Sequence, residues 1–443
     1  MDTRTREELI AENELLKERL AAVEAEVEML RSMLSGGGSG SSAAPFVKPN
    51  RKERREAEKE ARKKRKQSFA RHRETPTEVV DHVVETCPDC GRQLSGGWIA
   101  RTRQVIELPE MAVRVIEHRA IGRHCGVCGK DHIAKIDLSG QVVGKMRFGV
   151  RLMSLVAELQ TTCRMPISQI RGLLNTLYRL EISAGEIAGI LQKVAQVAEP
   201  IYVGLRDEIR GSPVVNADET GWREDGVNGY IWSFSTPRTR YFAYNRSRSS
   251  EVPKETLGEF KGKLVCDFYS AYSVIDVVCQ RCWTHFLRAL KKLNEKHPDD
   301  ESVVRFVDAV KDVYERAKAF SSDIRRHRLW AKMAFERELM EIALPYLGLK
   351  KPQSTLAGRI EKHLAELFIF VEEPEVPSDN NAAERSVRPS VIARKISGGT
   401  RSAKGSKTRM ILMSVFGTWK LRAMDTMSSC HSLLAATPQL HST

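Results

Sequence analysis

Three carboxylates, Asp218, Asp267 and Glu384, sit where acids can do chemistry rather than only solvate a surface. Val214-Val-Asn-Ala-Asp218-Glu219-Thr220 reads as an apolar strand ending on carboxylates, and Leu264-Val-Cys-Asp267 as a second. Between them residues 229–236 and 239–245 are β-rich, separated by a Pro237-Arg238 turn, and residues 249–260 have the pattern of a crossover helix. A right-handed crossover lays the fourth strand beside the first and brings Asp218 close to Asp267. Adjacent carboxylates repel and raise each other's pKa unless a cation lies between them, so a Mg2+ (or Mn2+) site is expected. Asp379-Asn-Asn-Ala-Ala-Glu384-Arg-Ser-Val-Arg388 opens a helix and supplies the third acid, with Asn380, Glu384 and Arg388 on one face. Three such acids would hold two ions roughly 3.5 to 4 Å apart, an arrangement suited to in-line phosphoryl displacement by water or a 3′-hydroxyl. Taken singly, a solvent-facing aspartate and a Glu384 to Arg388 surface pair are the plainer readings; the ordered set carries the weight.

The meander of three strands, a helix and a fourth strand is the ribonuclease-H-like order, here with the acids at the places that order would bring together. A second cluster precedes it. Cys87-Pro-Asp-Cys90-Gly and Cys125-Gly-Val-Cys128-Gly are two knuckles separated by 34 residues. The short spacing and following Gly let both thiolates of each knuckle face one tetrahedral ion, so Cys87, Cys90, Cys125 and Cys128 are expected to hold a structural Zn2+ within a module spanning 76–140. Extended stretches at 104–108 and 113–118 would form the ribbon between them; Arg92, Arg123 and Lys130 would offset the charge, and His118, His124 and His132 read as bystanders.

Further elements would bring this chemistry to a partner. Leu9, Asn13, Leu16, Leu20, Val23, Val27, Leu30 and Leu34 keep an unbroken heptad spacing, and the pairs Glu12–Lys17, Arg19–Glu24 and Glu26–Arg31 attract across a parallel seam. Residues 1–35 are therefore expected to form a dimerising coiled coil, with the polar Asn13 fixing its register. Residues 36–75 follow as a Gly/Ser linker and a basic arm. Between Arg51 and Arg73 lie 12 Lys or Arg against 4 Glu, a net of +8 within a chain total of +14, so Arg62, Lys63, Lys64, Arg65 and Lys66 are candidate phosphate contacts. Residues 141–210 are helical in pattern: a helix near 165–177, a turn at 179–183, and a second helix at 184–197 capped by Ser183. They resemble a helix-turn-helix, although the second helix is poor in Arg and Lys and a plain packing unit is an equal reading. Charge recurs through the first 16 residues without the apolar run of a signal peptide, and no charge-free stretch reaches the roughly 18 residues of a membrane helix. The chain is expected in the cytoplasm, associated with the nucleoid and away from membranes.

The strings NADET, LVCDFYSAY, QRCWTHFLRAL and DNNAAERSVRPSVIARK resemble the insertion sequence 66 family of DDE transposases across nearly the whole chain. That resemblance implies a multidomain α+β protein: coiled coil, zinc-binding ribbon-like module, helical DNA-binding segment and ribonuclease-H-like core. It implies a catalytic triad of Asp218, Asp267 and Glu384 with two Mg2+ per site, and contacts to DNA from Arg385, Arg388, Arg394 and Lys395. Partners would be double-stranded element ends and target DNA, a second copy of the chain in a homodimer or higher oligomer, and accessory proteins of the same element. With 117 residues from Asp267 to Glu384, the core would span 211–293 and 378–423 around a helical insertion at 294–377, leaving 424–443 as a tail of little periodicity that departs from the family. Cys282-Trp-Thr-His285, after Cys279, resembles a C-x2-H element of such enzymes; Cys282 and His285 are read as a second metal site, an orienting pair, or helix packing, with a structural role favoured. Trp283 and Trp330 read as core aromatics before DNA-stacking ones. The rival functions are a DNA-binding regulator that has lost catalysis and a nuclease of the same fold.

Overall fold

The computed structural model describes residues 73–108 and 111–437; the zipper and all of the basic arm except Arg73 lie outside the described residues. The chain divides into two compact units between Leu108 and Pro109, inside the segment read from sequence as one zinc-binding module. In the first unit an isolated bridge, Thr86 to Gln93, flanks the Cys87 knuckle, and Gly91 closes its turn by donating to the Cys87 carbonyl at 2.8 Å.

The second unit begins with a hairpin, β1 (Gly122–Cys125) and β2 (Lys130–Ile133), paired in antiparallel register around the other knuckle. Three helices follow: α1 (Val150–Thr161), α2 (Ile167–Tyr178) and α3 (Ala184–Arg210). Ser183 starts α3 through a capping box with Glu186, as its position predicts. The helix then runs well past Val197, carrying Pro200 within it, and buries Ile187, Ile190, Leu191, Val194, Ala195, Ala198, Leu205 and Ile209. An apolar stripe that long belongs to a core helix, and it shares one core cluster with the central sheet. That burial supports the packing unit that was the rival of the helix-turn-helix reading.

The sheet comprises β3 (Val214–Glu224), β4 (Val227–Ser235), β5 (Arg240–Asn245), β6 (Lys263–Cys266) and β7 (Val278–Arg281), in the order β5-β4-β3-β6-β7. β3, β4 and β5 form an antiparallel meander, and after helix α4 (Glu251–Leu257) β6 returns parallel to β3 with Asn216 opposite Val265. β7, parallel to β6, is a fifth strand absent from the sequence reading. β3 also differs from expectation, because it does not stop at the carboxylates but continues as far as Glu224. Thr220 to Glu224 alternate in the strand and pair with β4 from Ile231 to Val227, which leaves Asp218 in mid-strand.

Helices α5 (Trp283–Lys296), α6 (Glu301–Ala319), α7 (Arg325–Ala343), α8 (Ser354–Leu367) and the single turn α9 (Ile369–Glu372) surround a separate core. Trp283 is buried there, stacked on Tyr314 at 4.6 Å. Trp330 is 56% exposed under the Arg326 guanidinium, so the core reading holds for Trp283 and is corrected for Trp330. Then α10 (Asn381–Ser397) crosses the β3/β4 face and α11 (Ala403–Leu421) lies buried against β5. Ser414 and Thr418 of α11 accept the backbone N–H groups of Phe242 and Arg240 at 2.9 and 3.0 Å, satisfying donors that an open sheet edge would expose. The tail is not structureless: α12 (Thr426–Ala435) is capped by Asp425, and Cys430 and Leu434, one turn apart, enter the main core. Among the described residues no helix is long and apolar enough to cross a membrane.

Candidate active site

Strand alternation turns Asn216, Asp218 and Trp222 to the face that α10 covers, while Val215 and Ala217 enter the main core. Three contacts dock α10 there. Asn380, fully buried at its N-terminus, accepts from Asn216 at 3.0 Å and donates to the Ala217 carbonyl at 2.6 Å. Ser386 meets Ser233 at 2.9 Å, and Arg394 donates to the Gly221 carbonyl. The Asn380 backbone N–H also donates to the Cys282 thiol at 3.1 Å, tying the start of α5 to the same corner. Asn380 therefore turns inward to β3, whereas Arg388 stays exposed.

This docking sets Glu384 beside Asp218, and β6 delivers Asp267 just past its end. The Asp218 carboxyl is pushed up to about 7, first by burial, then by the charge of Glu219 and of Asp267 and Glu384. Asp267 is held from both sides, with its carboxylate capped by the Tyr269 N–H at 2.8 Å and its carbonyl accepting from Arg281 at 2.7 Å. Arg281 is fully buried, and its Nε also donates to Glu366 of α8 at 2.7 Å, so α8 braces the loop that carries Asp267.

Several residues of this site were not read from sequence. Glu219, beside Asp218, is a buried carboxylate that burial raises, while hydrogen bonds from Arg248 and from Tyr272 (2.8 Å) counter the rise. Glu384 is gripped by Arg288 of α5 through two bonds of 3.0 and 3.2 Å, rather than by Arg388. His285 Nε2 lies 3.8 Å from the same carboxylate. The QRCWTHFLRAL string did hold a signal for Arg288: it falls three residues after His285, on the same helical face.

Of the expected DNA contacts, Arg385, Arg388 and Lys395 are exposed on α10, while Arg394 is half-buried and partly committed to β3. Burial raises the Cys282 thiol, which serves as the acceptor for Asn380. At the knuckles, the Cys87 thiol is lowered by backbone N–H groups of Cys90 and Asp89, and the Cys125 thiol by those of Cys128 and Val127. Both loops thus favour thiolate, the form that binds zinc. His132 Nε2 lies 3.8 Å from Cys128 Sγ, nearer to the knuckle than a bystander reading implies. Among the described residues no three His, Cys, Asp or Glu side chains already stand in an arrangement that could hold a metal ion. The acids nonetheless fit a hard divalent cation in kind, being oxygen donors whose mutual repulsion shows in Asp218. Arg288 occupies one of the three.

A mixed five-stranded sheet with acids at two of its strands and on a crossing helix, and with helices α5 to α9 around their own core between the second and third acid, defines the class of this protein. Residues 145–408, more than half of the chain, match the model described as Transposase IS66 family, and the chain belongs to that family. Among curated proteins it is 33% identical over 140 residues to the uncharacterized protein y4jO of Sinorhizobium fredii, covering 31% of this chain and 42% of that one. It is 24% identical over 281 residues to the uncharacterized protein y4jD of the same organism, covering 56% and 55%. The chain thus spans about half the length of these relatives.

Proposed function

We propose that this chain is a DNA transposase that cuts at the ends of its element and joins the freed 3′-hydroxyls to target DNA. What supports the reading is that Asp218, Asp267 and Glu384 come from three separate elements and that, after burial and the charge of Glu219, the charges of Asp267 and Glu384 also raise the Asp218 carboxyl. The strand order β5-β4-β3-β6-β7 supports a ribonuclease-H-like core. Asp218, Asp267 and Glu384 would hold two Mg2+ or Mn2+ ions, which when bound lower the pKa of the attacking hydroxyl and stabilise the leaving oxygen. The chain's own groups do the rest. Arg281 and the Tyr269 N–H fix Asp267, Asn380 fixes the helix bearing Glu384, and Arg385, Arg388 and Lys395 offer exposed cations to the phosphate backbone. Cys87, Cys90, Cys125 and Cys128 would hold structural zinc, and residues 1–35 would pair two copies.

Purified full-length protein, an element-end duplex and Mg2+ or Mn2+ provide the test, scored for cleavage and for strand transfer. Asp218→Ala, Asp267→Ala and Glu384→Gln should each lose both products while retaining duplex binding. Metal-dependent joining that survives these substitutions sinks the reading. Cleavage without joining would leave a nuclease, and binding without either product a regulator.

A further inference from the structure

Glu384 meets two groups one turn apart on α5: the Arg288 fork on both oxygens, and His285 at 3.8 Å. A divalent cation would need the same oxygens, so guanidinium and cation compete for one carboxylate. Arg288 is free to leave: its side chain is 53% exposed, on a long flexible stem, and its charge also acts on Asp218. Beside Asp267 lies another guanidinium without a carboxylate partner among the described residues. Arg359 of α8 sits 5.0 Å over the Phe268 ring, where burial lowers its pKa and the charge of Asp267 opposes the fall. An unpaired, partly desolvated guanidinium next to acids is suited to a ligand that brings its own negative charge, and a phosphodiester supplies it.

We propose that Arg288 exchanges Glu384 for a DNA phosphate: uptake of a divalent cation at Glu384 releases the guanidinium, which then holds the strand backbone together with Arg359. The exchange rests on the reading of Asp218, Asp267 and Glu384 as cation ligands. It keeps Glu384 neutralised before DNA arrives and couples loading of the cation to the grip on DNA.

Two measurements on full-length protein test it, neither of them activity. In Mn2+ titrations without DNA, followed by electron paramagnetic resonance of the free ion, Arg288→Ala should tighten binding roughly three- to tenfold. Arg288→Lys, which keeps the charge but loses the fork, should tighten it less, and it carries both measurements should the Ala variant not fold. In fluorescence anisotropy with Ca2+, Arg288→Ala and Arg359→Ala should each weaken binding of an element-end duplex roughly three- to tenfold and lower the salt slope by about 1. Unchanged or weaker Mn2+ affinity in both Arg288 variants, with Glu384→Gln still losing the ion, overturns the exchange alone; so does unchanged duplex binding. Wild-type Mn2+ binding in both Asp218→Asn and Glu384→Gln overturns the cation reading beneath it.

Discussion

At Asp218 a carboxyl on a largely buried strand face keeps its proton up to about pH 7, whereas in the unfolded chain it would lose it near 3.8. Between those values the native state binds a proton that the unfolded state has released, so this group makes stability fall as pH rises from about 4 toward 7, and level off above. Glu219 is raised as well and adds to the fall. A divalent cation favours the ionised acids, so Mg2+ should raise the melting temperature at pH 8 and have little effect at pH 5. Asp218→Asn removes the titrating group: its stability relative to wild type should improve as pH climbs from 5 to 8, and its Mg2+ response should shrink. Thermal unfolding at these pH values, with and without Mg2+, checks both. Parallel pH profiles for the two proteins would show that the burial of Asp218 has no such consequence.

Element by element, the site depends on how α10 docks, and Asn380 is the pin. Its side chain satisfies Asn216 and the Ala217 carbonyl inside the protein, and its backbone N–H uses the Cys282 thiol. Asn380→Ala leaves buried polar groups on β3 without partners and is expected to cost about 2 to 4 kcal/mol in denaturant unfolding. Arg385→Ala, exposed on the same helix, should stay within about 0.5 kcal/mol of wild type. Equal stability of the two variants would deny Asn380 this role. The elements that sequence revealed are those with a local signature: β3 to β6 by apolar runs between turns, α3 by its cap, α10 by its acid motif. β7, with only four residues, and α12, whose apolar positions are sparse among Ser and His, have too little periodicity to stand out. The same division holds among residues. Asp267 follows an apolar strand and Glu384 opens a helix, places that local pattern marks, while the strand end expected at Asp218 lies at Glu224 instead; Arg288 finds Glu384 across 96 residues, and Arg281 finds Glu366 across 85, pairings only the fold creates.

Across the whole molecule, the two knuckles carry the least locally determined expectation, because Cys87 and Cys90 belong to one compact unit and Cys125 and Cys128 to the other. Neither pair alone supplies the four ligands of a structural zinc site, and the core contributes none that the described residues cluster with them. Each loop nonetheless holds its first thiol below the ordinary range through backbone N–H groups, an arrangement that makes sense if both thiols serve as thiolates. A zinc shared by the pairs predicts a coupled loss: metal analysis of purified protein should find about one Zn2+ per chain, and Cys87→Ser should abolish it as completely as Cys125→Ser. Independent sites predict instead that each variant keeps half of the metal. A site built on the second knuckle and His132 predicts that Cys87→Ser keeps all of it and His132→Ala loses it. In every case the sheet and its helices, which enclose their own apolar core, should melt at an unchanged temperature after zinc is chelated in buffer free of Mg2+. A downward shift of that transition would show that zinc supports the sheet and its helices and not only the segment before them.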